Sequence, residues 1–375
     1  NDEAHELFKL PEFVNKMMEN KWLGSKTGQG FYKKEGKDIL TLDLDTLKYR
    51  ANKKASFATL ELTKTIDKPI DRFKVLVKGK DKAGEFYRKN FASMFQYCSN
   101  RIPEITEDFY KIDDAMKAGF GWENGPFEIW DAIGVEKGIE LMKAEGYQPA
   151  SWVTDMLASG NTSFYSIKDG ATHFYSITNK KVEKVPGQDA FIILNNIRES
   201  KKIWNNSDSI ITDLGDGIIN LEFTSKMNSI GAGVLQGINK AIDMAEKGYE
   251  GLVIGNQGTN FSVGANLAMI FMLAVEQEYD ELNMAIKMFQ DTMMRCRYSA
   301  IPVIAAPHGM TLGGGCELTM HADRAVAAAE TYIGLVEFGV GVIPGGGGSK
   351  EMALRASDLF RKNDVELNVL QEYFL

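Results

Sequence analysis

Three consecutive glycines followed by a cysteine and a glutamate, Gly313-Gly314-Gly315-Cys316-Glu317, constrain this chain more than any other segment. They follow a β-type run at 302–305 and precede an apolar stretch ending near Met320. Glycines at such a point let the backbone pass close to a ligand and take φ values that a Cβ disfavours. A helix opening here presents unpaired N–H groups and its positive dipole end to a developing negative charge. Alone, the run also fits a hinge.

Two further segments give it company. Phe261-Ser262-Val263-Gly264-Ala265-Asn266-Leu267 follows another β-type run at 252–254, and a Gly-Ala pair at a strand-to-helix junction offers one more free N–H. Glu337 lies twenty residues after Glu317, between Ile333-Gly334-Leu335-Val336 and Phe338-Gly339-Val340-Gly341-Val342-Ile343. A carboxylate in so apolar a run is either partnered in the core or held for acid–base work.

The rest of the chain divides by texture. Residues 1–49 end in the glycine-marked loop Gly24–Gly30, with Phe31-Tyr32 placed to pack it back onto a helix. Residues 50–83 are lysine-rich and read as a connector. Residues 84–147 read as helical, with Phe91, Met94, Phe95 and Cys98 on one stripe and further helices near 104–118 and 134–145. The Ser, Thr, Asn, Gly and Lys of 148–187 are linker chemistry. From 188 to 375, β-type runs at 209–212, 218–223, 252–254, 302–305 and 325–328 alternate with helical stretches at 231–247 and 279–298. That alternation predicts an α/β domain with a buried sheet.

Composition excludes some functions. Forty-three basic against fifty-one acidic side chains leave a net charge of -8 across 375 residues, a poor match to nucleic-acid binding. No apolar run reaches the ~18 residues of a membrane span. Cys98, Cys296 and Cys316 are far apart and form no CxxC, so neither a disulfide framework nor a metal knuckle is expected, and a reducing, cytoplasmic setting is. Asn161, Asn205 and Asn260 head glycosylation-type triplets, but no secretory signal accompanies them. His5, His173, His308 and His321 are assigned no catalytic role.

Gly264-Ala265-Asn266-Leu267, Leu312-Gly313-Gly314-Gly315-Cys316-Glu317-Leu318, Phe338-Gly339 and Ile343-Pro344-Gly345-Gly346-Gly347-Gly348 together resemble the enoyl-CoA hydratase (crotonase) signature in order and spacing. The resemblance covers roughly 205–355. It implies an oxyanion hole made by the backbone N–H groups of Ala265 and Gly314, and a catalytic water held between Glu317 and Glu337. Gly264, Asn266, Gly313, Gly315 and Gly345 would form the substrate-binding loops. Asn266 departs from the family, where Asp is common. Both glutamates favour hydration of trans-2-enoyl-CoA over the isomerase chemistry of relatives that keep one acid. The alternatives are an isomerase or other enolate chemistry on CoA thioesters, or a non-catalytic piece.

A second resemblance lies upstream. Gly24-Ser25-Lys26-Thr27-Gly28-Gln29-Gly30-Phe31-Tyr32, Ile112-Asp113-Asp114-Ala115-Met116-Lys117, Gly125-Pro126-Phe127-Glu128 and Asp131-Ala132-Ile133-Gly134 look like the C-terminal helical domains of 3-hydroxyacyl-CoA dehydrogenases. The chain is thus expected to be multidomain. Its parts are the end of a first helical domain (1–49), a connector (50–83), a second helical domain (84–147), a linker (148–187) and an incomplete ββα-spiral crotonase domain (188–375). The helical module is expected to be all-α. This order resembles a bifunctional β-oxidation protein lacking its Rossmann domain and the crotonase end. NAD would serve the dehydrogenase half, whose binding domain is not in this sequence. The hydratase step would need no cofactor, only acyl-CoA substrate. Oligomers, or a complex with a thiolase, are implied for the full-length protein. Gly231-Ala232-Gly233-Val234-Leu235-Gln236 is the nearest approach to a dinucleotide fingerprint and reads as a helix start.

Overall fold

The computed structural model describes residues 2, 4–66 and 68–363, and the chain divides into two compact units. The first comprises Asn1–Ser166 and His173–Glu183; the second comprises Ile167–Thr172 and Lys184–Leu375.

The first unit opens with α1 (Glu12–Glu19) and a sheet of β1 (Tyr32–Glu35), β2 (Asp38–Leu42) and β3 (Tyr49–Ala51), paired antiparallel. Phe31 meets α1 edge-on, its ring 6.4 Å from that of Phe13, although both Phe31 and Tyr32 remain exposed. Then come α2 (Ala58–Thr63), α3 (Pro69–Leu76), α4 (Lys82–Asn100), α5 (Tyr110–Phe120), α6 (Pro126–Ile133), α7 (Val135–Ala144) and α8 (Ser151–Ala158). A sheet of β4 (Tyr165–Lys168), β5 (Ala171–Ser176) and β6 (Lys181–Lys184) follows, its residues divided between the two units.

Three expectations need correction here. The 1–147 module is not all-α, because it carries the β1–β3 sheet, whose largely exposed strands β1 and β3 leave no clean alternation in the sequence. The 50–83 connector contains α2 and α3, held by tertiary contacts rather than by periodicity. Asp81 caps α4 at Gly84 N (3.0 Å) while accepting from Thr59 N (2.9 Å) and Thr59 Oγ1 (2.7 Å). The 148–187 linker contains α8 and the β4–β6 sheet, because its polar composition hides three aromatic anchors. Trp152 stacks on Phe109 at 5.9 Å, and Phe164 and Phe174 meet the same ring at 5.4 and 5.8 Å.

Phe91 and Phe95 of the expected stripe are buried, and Phe95 stacks on Trp130 at 4.7 Å. Asp113, fully buried, accepts from Phe127 N (2.9 Å), Glu128 N (3.0 Å) and Tyr165 Oη (2.9 Å). It therefore satisfies two open N–H groups in the first turn of α6 from a neighbouring helix.

The second unit contains α9 (Leu194–Lys201), β7 (Lys202–Asn205), β8 (Ser209–Gly215), β9 (Ile218–Phe223), α10 (Ala232–Gly248), β10 (Gly251–Ile254), α11 (Leu267–Val275) and α12 (Tyr279–Arg297). It continues with β11 (Val303–Ala305), β12 (Met310–Leu312), α13 (Gly314–His321), β13 (Arg324–Ala325), β14 (Tyr332–Gly334) and α14 (Gly348–Asn363). Six strands form one sheet in the order β13-β11-β10-β9-β8-β7, parallel from β13 to β9 and antiparallel beyond. β12 and β14 make a separate parallel pair. α10 buries Val234, Ile238, Ala241, Ile242 and Ala245, one apolar stripe, in a core shared with Ile219, Leu221, Leu252 and Val303 of the sheet. The sheet, α10 and α12 form a rigid support on which the glycine-rich segments sit.

Removing the Asp113 carboxylate strands three donors inside the helical unit. Asp113→Ala is expected to lower stability by about 2–3 kcal/mol in urea unfolding. An unchanged midpoint and slope would show that this carboxylate does not hold α6.

Candidate functional site

The site is built by backbone pairing. Residues 261–264 run as an extra strand beside β12: Phe261 N donates to His308 O (3.0 Å), Ser262 N to Met310 O (3.2 Å) and Leu312 N to Ser262 O (2.9 Å). Ser262 Oγ donates to Asn228 O (2.7 Å) and accepts from Gly264 N (3.1 Å). Gly264 then turns at φ +93°, its carbonyl accepting from Ile230 N at 2.8 Å. A Cβ on Gly264 would stand 2.7 Å from Leu312 O and 3.0 Å from Gly314 N. One on Gly314 would stand 3.3 Å from Ala265 N. Only glycine allows this approach, and it sets the N–H groups of Ala265 and Gly314 side by side. Among the described residues neither group donates to a protein acceptor.

Gly313 takes φ +53° and ψ -118°, a glycine conformation, and its N–H donates to Gly334 O at 2.9 Å. That bond, with the β12–β14 pairing, joins the glycine run to the segment bearing Glu337. Gly315 packs on Ser262, where a Cβ would meet Ser262 Cβ at 2.9 Å.

Both carboxylates converge on this place. Glu317, 3% exposed in the first turn of α13, accepts from Gly348 N at 2.8 Å through Oε1, and its Oε2 lies against Gly346. Glu337 Oε1 reaches within 3.2 Å of where a Gly313 Cβ would be, while its buried Oε2 has no hydrogen-bond partner among the described residues. Burial raises the pKa of Glu317, and the charge of Glu337 adds to this, against the lowering effect of the Gly348 and Gly346 N–H groups. Burial likewise raises that of Glu337. Cys316, pushed up to about 11 by burial, stays a thiol.

Of the residues singled out in the sequence, the fold gathers Gly264, Ala265, Gly313, Gly314, Gly315, Glu317 and Glu337. Two stand apart from that cluster. Asn266 caps α11, its side chain accepting from Met269 N at 3.2 Å, and Gly345 lends its carbonyl to Gln290 Nε2 at 2.6 Å. Gly346 and Gly348, neighbours of Gly345 that were assigned no role from the sequence, touch Glu317 directly. All three lie in one glycine run, so spacing alone did not separate them. Phe289 went unmarked too; its ring edge fills the space beside Gly314 and Gly346, as one member of an ordinary helical stripe. A cavity of about 830 Å³ on the Cys316 and Met320 side of α13 reaches Leu335 and Phe338 but is lined by neither carboxylate.

An orphan carboxylate oxygen carries a stability consequence. With its folded pKa raised, Glu337 contributes stability that is full below its unfolded value and is lost as pH rises through the folded one. Glu337→Gln is therefore expected to raise stability at pH 7.5 by up to ~1 kcal/mol, seen as a higher thermal midpoint, and to lose this advantage toward pH 4. Thermal unfolding of both chains across that range checks it; a variant less stable at pH 7.5 would contradict the assignment.

Residues 214–357 match the family model described as enoyl-CoA hydratase/isomerase. Over 348 residues, 92% of this chain and 44% of the relative, the sequence is 46% identical to a Bacillus subtilis (strain 168) protein named "Probable 3-hydroxyacyl-CoA dehydrogenase". Over 360 residues, 95% of this chain and 45% of the relative, it is 28% identical to the "Putative fatty acid oxidation complex trifunctional enzyme" of Rickettsia felis. The chain thus spans under half the length of these two curated relatives. The solved enoyl-CoA hydratase from Bacillus anthracis is 24% identical with a TM-score of 0.36, covering 39% of this chain and 57% of that one. The likeness to the enoyl-CoA hydratase/isomerase family thus lies over residues 214–357, in a sequence similar to relatives named for 3-hydroxyacyl-CoA dehydrogenation and fatty-acid oxidation.

Proposed function

We propose that the second unit adds water to a trans-2-enoyl-CoA, giving the 3-hydroxyacyl-CoA, within a β-oxidation protein that also oxidises that product with NAD. The observation that carries this reading is the convergence of two unpaired backbone N–H groups, Ala265 and Gly314, with a buried carboxyl, Glu317, and a half-buried one, Glu337.

The chemistry follows from their environments. When the water oxygen bonds to Cβ of the conjugated thioester, charge moves to the carbonyl oxygen as an enolate. Two fixed donors oppose that charge, and losing one such donor costs about 10²–10³ in rate. The water must give up a proton and Cα must gain one. Glu317, which accepts from Gly348 N–H, is better stabilised as the ion and is the base toward water. Glu337, whose Oε2 lacks a donor, holds a proton more readily and is the acid toward Cα. Once Cα is protonated the enolate collapses to the thioester, and proton exchange with solvent resets the pair.

The helical unit takes the place of a dehydrogenase C-terminal domain in this proposal. The Gly231–Gly233 segment does not fit NAD. Gly231 and Gly233 open α10, but a Cβ on Gly233 would run into the Asp208 carboxylate, an unsuitable neighbour for a pyrophosphate. A cytoplasmic setting, higher oligomers and association with a thiolase belong to the same proposal for the whole protein.

The purified chain is expected to consume the conjugated thioester absorbance of a short trans-2-enoyl-CoA. Glu317→Gln is expected to slow this by about 10²–10⁴ without loss of folding. A folded chain without turnover, or undiminished turnover in Glu317→Gln, would overturn the reading. Conversion of a 3-enoyl-CoA at a higher rate would favour isomerase chemistry instead.

A further inference from the structure

One turn beyond Glu317 on α13 sits a second buried titratable group outside the mechanism above. His321 is 1% exposed, and its Nδ1 lies 2.7 Å from the Glu317 carbonyl oxygen, so that nitrogen carries a proton. Its Nε2 faces Glu351 Oε1 at 3.4 Å, and Glu351 is itself fully buried. Glu351 also pairs with Arg297 of α12 through Oε2 and with Lys350 at 3.1 Å. Gly347, at φ +114°, brings the backbone against the imidazole edge, where a Cβ would stand 3.1 Å from Cε1. Gly348, next in the chain and first residue of α14, is the donor to Glu317 Oε1.

Glu351 and Gly348 thus share the first turn of α14, while His321 and Glu317 share α13. We infer that His321 and Glu351 form a buried clamp that aims the Gly348 N–H at Glu317, making His321 a positioning residue for that carboxylate. Both ring nitrogens face acceptor oxygens, so the clamp is tightest with a proton on each. The groups that face it are Glu351 and Lys350 from α14, Arg297 from α12 and the Glu317 backbone from α13. Burial above all, with the two cations, lowers the His321 pKa below its usual value, against the Glu317 carbonyl and the Glu351 carboxylate, which favour the second proton, so the clamp tightens as pH falls.

Two substitutions separate the halves of the ring. The side-chain amide of His321→Gln takes the place of Nε2 and still donates to Glu351. That of His321→Asn takes the place of Nδ1, keeping the bond to the Glu317 carbonyl but falling short of Glu351. The first readout is the titration of Glu317 by ¹³C NMR on chain labelled at glutamate δ-carbons, with Glu317→Gln for assignment. Without the clamp the Gly348 donor is lost and Glu317 titrates higher. His321→Asn is expected to show that upward shift and His321→Gln to remain near the parent. The second readout rests on the hydratase reading: kcat falls about tenfold in His321→Asn with KM within about twofold, and His321→Gln restores it.

Should His321→Asn not fold cooperatively on heating, Glu351→Gln replaces it with the same expected shift. Identical Glu317 titration in the parent and a folded clamp variant overturns the proposal. An upward shift in a chain that does not turn over enoyl-CoA would leave the clamp standing and sink the hydratase reading alone.

Discussion

Everything in the candidate site hangs on how the backbone around Leu312 and Gly313 shares its hydrogen bonds. Leu312 N donates to Ser262 O on one side, and Gly313 N donates to Gly334 O on the other. Those two bonds stitch three segments, 261–265, 310–317 and 332–337, that are up to seventy-odd residues apart in sequence. One seam thereby delivers Ala265 and Gly314 as adjacent donors and brings Glu317 and Glu337 to the same place. Side chains on the central backbone would break it, because Gly264, Gly314 and Gly315 each have a neighbour within 3.0 Å of where a Cβ would stand. The glycines are a geometric requirement of the seam rather than a source of flexibility.

The seam holds two carboxylates in surroundings that disfavour their charge, one of them with an oxygen left without a partner. A core built for stability alone would satisfy or exclude such a group. The six-stranded sheet, with α10 and α12 packed about the same core, supplies the burial that tolerates it. Asymmetry between the two glutamates matters as much as their proximity. The α14 N-terminus donates to Glu317, while Glu337 Oε2 has no donor among the described residues, so one fold places the same side chain in two different environments.

Much of this was legible in the sequence where backbone chemistry writes itself as glycine. The Gly-Gly-Gly-Cys-Glu run, the Gly264-Ala265 pair and the spacing to Glu337 all mark places where the main chain is constrained, and the fold brings them together. The strands at 218–223 and 252–254 and the helices at 231–247 and 279–298 were visible for a related reason: each buries one apolar face or run. The first small sheet was not, since Tyr32–Glu35 and Tyr49–Ala51 are largely exposed and owe their shape to pairing alone. The 148–187 segment misled because its composition is polar while its structure depends on Trp152, Phe164 and Phe174. His321 carried no local signal. Its significance comes from Glu351, thirty residues away, and from a hydrogen bond to backbone.

The central claim is that the Ala265 and Gly314 N–H groups polarise a thioester carbonyl. Its most direct test is the infrared carbonyl stretch of a saturated acyl-CoA, ¹³C-labelled at the thioester carbonyl and unable to add water, bound to the purified chain. Two converging donors predict a stretch at lower frequency than in water, a shift that Gly264→Ala removes by forcing the donors apart. A bound thioester whose carbonyl frequency matches that in water would contradict the account.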